Sequence, residues 1–173
     1  MRADHKEYEE KFTSIYKEYQ KIGTFLKPLE INPILYGSAG VGVYLGNFKK
    51  FEDLDLLIED KWITDKWGIT VKRMADNGFK LINQREHEFE SSDGLKVALA
   101  PQSILERDGI GDLETDVTEL TYQGIPIRTL FPQTFLKAYE FSAKDGYRRD
   151  TRGKKDSEII TKLQNYIINE SSK

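Results

Sequence analysis

Ile34-Leu35-Tyr36-Gly37-Ser38, followed after an interval of 14 residues by Asp53-Leu54-Asp55-Leu56-Leu57-Ile58, is the stretch whose reading decides the fold. The apolar triplet between Pro33 and Gly37 has the length and character of a short buried strand. Ser38 is a good N-cap for a short helix over residues 39–45, although Gly40 and Gly42 each cost such a helix about 1 kcal/mol relative to alanine. Close packing on a neighbouring strand, or close approach of a ligand, would each explain the missing Cβ atoms. Residues 46–52 read as a polar, basic loop. Beyond it, Leu54, Leu56 and Ile58 alternate with Asp53, Asp55 and Leu57, as in a strand with one buried face, and the two acids open that strand.

Upstream, apolar side chains at Tyr8, Phe12, Ile15, Tyr19, Ile22 and Leu26 keep to one face, which predicts a long amphipathic helix within residues 1–27. Downstream, residues 62–75 read as a helix that stops near Asn77-Gly78, a left-handed C-terminal signal. Short strands are expected at 79–82, 86–90 and 95–100, the last two joined as a hairpin across Ser91-Ser92-Asp93-Gly94. Residues 104–114 read as loop, and 117–122 and 125–127 as a second hairpin around Gln123-Gly124. Pro132 opens a helix over 133–143. Residues 146–155 read as a basic linker, and Ile159, Ile160, Leu163, Tyr166 and Ile167 as a final amphipathic helix. The expected fold class is α+β, one domain over 1–173, with a mixed-sheet core at 33–127 and C-terminal helices at 132–169.

Bulk composition narrows the chemistry. A 173-residue chain that is 38% hydrophobic and 32% charged lies well inside the globular range. With 26 basic against 29 acidic side chains it carries no general positive field, so general DNA binding is not expected and a polyanion would need a local patch. The absence of cysteine removes disulfides, thiolate zinc sites, Fe–S clusters and cysteine nucleophiles together. No segment approaches the roughly 18 apolar residues of a membrane helix, and the charged start Met1-Arg2-Ala3-Asp4-His5 lacks an apolar signal core. A cytoplasmic protein with no membrane partner is the expectation.

Any metal must therefore sit on oxygen or imidazole. Carboxylates at i and i+2 of a strand project from the same face, so Asp53 and Asp55 can offer oxygens to one hard divalent cation such as Mg2+. Magnesium keeps part of its water shell and takes one or two carboxylates plus substrate phosphates, which points to a nucleoside triphosphate. At the other half of the motif, unpaired N–H groups and the dipole at a helix start favour an anion. There Gly37 admits a phosphate and Ser38 can donate a hydroxyl.

This joint pattern over residues 34–58 resembles the nucleotidyltransferase superfamily typified by DNA polymerase beta, whose small members carry a Gly-Ser or Gly-Gly turn followed by Asp-x-Asp. A second stretch, residues 132–137 with Lys137, a run of arginines and then Lys155-Asp156, is similar to small bacterial members. These include abortive-infection toxins and lincosamide-modifying enzymes, in which a helix lysine and a later Lys-Asp pair recur. The two stretches cover roughly a third of the chain. The resemblance implies that Asp53 and Asp55 bind Mg2+ and are catalytic, that Gly37 and Ser38 hold the phosphates, and that Lys137 and Lys155 contact the nucleotide. A nucleoside monophosphate would pass from the triphosphate to a hydroxyl on a small molecule, RNA or protein. The rival expectation is a catalytically degenerate nucleotide-binding or interaction module of a toxin–antitoxin or phage-defence pair.

One feature departs from the pattern. Active members bring a third carboxylate from a neighbouring strand, but the strand at 95–100, Leu95-Lys96-Val97-Ala98-Leu99-Ala100, contains no acid, and the expected position falls on or near Ala98. Glu88 and Glu90 share a face of the preceding strand; they either replace it or form a solvated edge. The cluster Arg148, Arg149, Arg152, Lys154 and Lys155 suits phosphate geometry, or else is a solvated loop balanced by Asp145, Asp150 and Asp156. His87 could serve as an acid or base near the hairpin, a role that a lone histidine seldom has; Trp62, Trp67 and the Tyr8, Tyr16, Tyr19 set read as packing. Asp112, Glu114 and Asp116 lack a calcium-loop pattern.

Overall fold

The computed structural model describes residues 15–46, 51 and 53–173, apart from the side chains of residues 147–149 and 152. His5, Tyr8, Phe12 and most of the basic loop of residues 46–52 lie outside the described residues. In chain order the strands are β1 (Ile34–Tyr36), β2 (Asp53–Ile58), β3 (Phe79–Asn83), β4 (Glu88–Ser91), β5 (Lys96–Pro101), β6 (Val117–Tyr122) and β7 (Ile125–Leu130). They form one seven-stranded sheet in the order β3-β4-β5-β2-β1-β7-β6. The sheet is mixed: β1 runs antiparallel to β2 and parallel to β7, while β2 runs parallel to β5. The helices are α1 (residues 15–26), α2 (Gly37–Leu45), α3 (Trp67–Asp76), α4 (Ile104–Arg107), α5 (Pro132–Ala143) and α6 (Gly146–Ser171).

Alternation along β2 decides how the layers stack. Leu54, Leu56 and Ile58 enter one core with Ile15, Tyr16, Tyr19, Ile22 and Leu26 of α1 and Met74 of α3. Leu57 enters a second core on the opposite face, with Phe135, Ala138 and Tyr139 of α5 and Ile159 and Leu163 of α6. Asp53 and Asp55 share the face of Leu57, so they open beneath the C-terminal helices while α1 closes the other side. Helix α2 straddles both cores: Ala39 and Val43 belong to the first and Val41 to the second.

Three tyrosines and a threonine fasten the β1–α2 turn. Tyr16 donates its hydroxyl to the Ala39 carbonyl at 2.8 Å, and Tyr44 to the Leu130 carbonyl at 2.8 Å. Tyr19 donates to the Pro33 carbonyl at 2.9 Å and accepts from the Arg128 N–H at 3.1 Å, and Thr129 donates to the Leu35 carbonyl at 2.7 Å. Burial raises the pKa values of Tyr16 and Tyr44 well above the ordinary tyrosine value, with Tyr122 and Tyr166 respectively adding to the shift. Above the ordinary value the unfolded chain gives up a proton that the folded chain keeps. The unfolded state then binds fewer protons, and stability falls as pH rises. The expected result is a denaturation midpoint that is flat to about pH 9 and drops above about pH 10, with a shallower drop in Tyr16→Phe. Urea titrations at a series of pH values check it.

Several boundaries differ from expectation. Helix α2 starts at Gly37 and its N-cap is Tyr36, without a side-chain cap bond, so Ser38 is the second helical residue rather than the cap. The helix expected over 62–75 is split: residues Asp60–Trp62 form one 3-10 turn, and α3 begins only at Trp67. Residues 146–155, expected as a linker, are the first ten residues of the continuous α6. That stretch lacks an apolar face, but arginine and lysine are good helix formers, and the buried Asp156, Ile159 and Leu163 anchor the same helix further on. Strand β7 extends through Arg128 to Leu130: Arg128 stands opposite Glu119 in the β6–β7 ladder, its backbone N–H bonds the Tyr19 hydroxyl, and its guanidinium donates to the Asn32 carbonyl at 2.7 Å. Residues 104–107 of the expected loop form the short α4.

Candidate active site

Gly37 holds the site together. Its φ of +62° is left-handed, where a side chain is strained, and a Cβ built there would overlap the Asp55 Oδ2 oxygen. Strand β1 therefore ends in a turn that brings the backbone of α2's first turn directly against the Asp55 carboxylate. The ladder repeats this proximity, since Tyr36 stands opposite Asp55 on the antiparallel β1–β2 pair. A cavity of about 260 Å³ is lined by Gly37, Ser38, Asp53 and Asp55, together with Ala98, Tyr139 and others. Four of the residues expected from the sequence are thus brought into one place. Ser38 is buried and exposes its side of the helix start to this cavity.

Gly40 and Gly42 serve packing. A Cβ on Gly40 would stand 2.5 Å from Phe135 Cζ and 3.0 Å from the Leu35 carbonyl oxygen; one on Gly42 would stand 2.5 Å from Phe51 Cζ and 2.7 Å from the Tyr16 hydroxyl. Of the two explanations the sequence left open, contact with protein neighbours accounts for both.

Lys137 and Lys155 do not join this group. Helix α5 turns Ala138, Tyr139 and Ser142 toward the cavity, and Lys137, about 100° round the helix from Ala138, is exposed. On α6 it is Asp156, 1% accessible, that points inward, while its neighbour Lys155 is exposed. Arg148, Arg149 and Arg152 lie on α6, and their side chains are outside the described residues. Tyr36, Tyr139 and Ser142 were not read from the sequence as lining residues. Their signal was faint: a polar group or two on a helix or strand whose remaining positions are core.

The parallel β2–β5 ladder pairs Asp53 with Lys96 and Asp55 with Ala98, and the β4–β5 ladder pairs Glu88 with Ala98. Paired residues share a sheet face, so Ala98 occupies the place beside Asp55 where a third carboxylate was sought, and Glu88 follows one strand further out, roughly 10 Å from the Asp55 backbone. The Glu88 Oε1 lies 3.8 Å from Lys96 Nζ. Among the described residues no group of three or more His, Cys, Asp or Glu side chains could hold a metal ion. Glu90 stands opposite Lys96 and beyond the cavity.

The remaining residues singled out have structural roles. The His87 ring meets Trp67 edge-on at 4.7 Å, and Trp67 in turn packs on Phe89. Asp116 accepts the Asp112 N–H at 2.7 Å and Asp112 accepts the Glu114 N–H at 2.6 Å, which makes these acids turn-formers. No helix among the described residues is long and apolar enough to cross a membrane.

A mixed sheet whose first strand turns through Gly-Ser into a helix, with an Asp-x-Asp strand alongside, defines a nucleotidyltransferase-like α+β fold. Solved structures share it: a nucleotidyltransferase-like antigenic protein of Paracoccidioides brasiliensis (TM-score 0.62, 17% identity, 89% of this chain and 75% of that one); the lincosamide antibiotic adenylyltransferase LnuA bound to lincomycin (0.61, 16%, 87% and 96%); and the antibiotic-resistance factor ANT(2'')-Ia (0.60, 14%, 92% and 92%). No protein-family model matches the chain. The chain belongs to the family of the Bacillus subtilis (strain 168) protein YnaI, an uncharacterized protein with which it is 33% identical over 157 residues, 90% of this chain and 99% of YnaI.

Proposed function

We propose that the chain is a nucleotidyltransferase that moves a nucleoside monophosphate from a nucleoside triphosphate to a hydroxyl acceptor, in the cytoplasm where such triphosphates are made. One observation carries this reading: two carboxylates of one sheet face and the buried, Cβ-less start of a helix line the same cavity. The donor set fits magnesium, because Asp53 and Asp55 supply hard oxygens from one face and leave the remaining positions for water and phosphate. When bound, that ion would neutralise charge on the triphosphate. The backbone N–H groups and hydroxyl at Gly37 and Ser38 would hold phosphate oxygens at the positive end of α2. Tyr139 and Ala138 would close the cavity from above. An acceptor oxygen in line with the α-phosphorus forms the new P–O bond as the bond to the β-phosphate oxygen breaks. Pyrophosphate leaves, and the hydroxyl proton passes to water, since β5 offers no carboxylate beside Asp55. Positioning and charge neutralisation are the whole of the protein's contribution to such a step.

Small-molecule acceptors have support from the lincomycin-bound LnuA, whose fold this chain shares. The second reading, a nucleotide-binding or interaction module without turnover, is favoured by Ala98 opposite Asp55. Incubation of wild type and Asp53→Asn with each α-labelled nucleoside triphosphate, Mg2+ and pools of small hydroxyl compounds, RNA or protein separates them. Magnesium-dependent binding and label transfer are expected for wild type, with transfer falling about 100-fold or more in Asp53→Asn. Magnesium-dependent binding with no transfer to any acceptor supports the second reading. Metal-independent binding, or none, overturns the nucleotidyltransferase reading.

A further inference from the structure

We propose that Lys96, beside Asp53, supplies the positive charge that a second cation held by a third carboxylate would otherwise bring, so that the site takes one divalent ion. This rests on the nucleotidyl-transfer reading above. Lys96 stands opposite Asp53 and Ala98 opposite Asp55 on adjacent parallel strands, so a lysine and a methyl group share the sheet face of the two carboxylates, with the amine turned toward Glu88 on the other side of β5. The methyl group offers no ligand. The amine does what a cation would do at this point: it is a compact charge with three donors on a flexible four-carbon stem, long enough to cross the strand spacing of about 4.8 Å.

A second cavity places that side chain next to Asp53. It has a volume of about 810 Å³ and is lined by Asp53, Lys96 and Glu88 among others, while Gly37, Ser38 and Asp55 line the smaller one. Asp53 is common to both, so the phosphate turn and the Lys96 side chain approach the same carboxylate from two sides. The Lys96 side chain is 49% accessible, and its distance of 3.8 Å from Glu88 is at the outer limit of an ion pair. So loose and exposed a pair holds the amine weakly and leaves it able to turn toward an incoming α-phosphoryl oxygen. Glu88 keeps the amine on the site face in the meantime.

The test is binding, not turnover. Mn2+ and a non-hydrolysable nucleoside triphosphate analogue are titrated into wild type, Lys96→Met and Lys96→Arg, with bound manganese counted by electron paramagnetic resonance and analogue affinity measured by calorimetry. One manganese ion per protein–nucleotide complex is expected. Lys96→Met should weaken analogue binding about tenfold, as for one lost charge-assisted contact, and Lys96→Arg should recover most of it. Lys96 is half exposed, so an unchanged thermal midpoint is expected for both variants. Two manganese ions in wild type, or Lys96→Met affinity within about twofold of wild type, overturns the assignment of Lys96 and leaves the nucleotidyl-transfer reading standing. Failure of wild type to bind the analogue with manganese overturns that reading, and the role of Lys96 with it.

Discussion

Gly37→Ala should abolish magnesium-dependent nucleotide binding while leaving a folded protein. Two effects of different size meet at this position. A left-handed φ costs an alanine about 1–2 kcal/mol, a fraction of the stability of an ordinary domain. The second effect is local, since the new methyl would overlap Asp55 Oδ2 and stand 3.0 Å from Cγ and 3.1 Å from Cβ of the same side chain. Rotation of the carboxylate clears the oxygen but not the Cβ, so strand β2 or the turn itself must shift. Asp55 then loses its placement against the start of α2, where a displacement of about 1 Å costs on the order of 100-fold in a positioned reaction. Urea denaturation should therefore show a loss of about 1–3 kcal/mol, while nucleotide affinity, measured alongside, falls beyond detection. Wild-type affinity in Gly37→Ala would show that Asp55 and the α2 start do not act as one site.

How much of this was legible in the sequence follows the range of each signal. The alternation of Asp53 to Ile58 reports which residues share a face, so the pairing of Asp53 with Asp55 and the burial of Leu54, Leu56 and Ile58 came directly from period two. Strand existence and the alternation of helix and strand gave the α+β class, but the order β3-β4-β5-β2-β1-β7-β6 depends on long-range pairing that no local pattern encodes. Ala98 was found as the missing acid's position only because its strand could be placed next to β2 by resemblance. Lys96 carried no such marker: a lysine on an exposed strand position is ordinary, and only the register beside Asp53 gives it meaning. Lys137 and Lys155 illustrate the converse, since a recurring residue type at a familiar offset does not fix which side of a helix it occupies. The basic stretch at the start of α6 misled for a different reason: polarity reads as loop wherever the apolar face that anchors a helix lies entirely to one side.

The largest stability effect is expected where α5 locks onto α2. Phe135 is fully buried, stacks on Tyr36 at 6.2 Å and meets Tyr44 edge-on at 6.4 Å, and its Cζ lies where a Gly40 side chain would go. Phe135→Ala removes the ring and leaves a cavity between the helix and the sheet, at a cost of about 3–5 kcal/mol. Gly40→Ala alone would gain about 1 kcal/mol of helix propensity, but the clash with the ring outweighs it, giving a net loss of about 1–2 kcal/mol. In the double variant the methyl enters space the ring has vacated, and only the Leu35 carbonyl oxygen, 3.0 Å from the new Cβ, still opposes it. The two losses should then fall short of additive by about 1–2 kcal/mol, a coupling large enough to resolve in a double-mutant cycle by urea denaturation. Additivity within about 0.5 kcal/mol would mean that the Leu35 carbonyl, 3.0 Å from the new Cβ, rather than Phe135 is what excludes a side chain at Gly40. A positive coupling instead assigns Gly40 to the α2–α5 contact and leaves Gly37 as the glycine whose missing side chain serves the site.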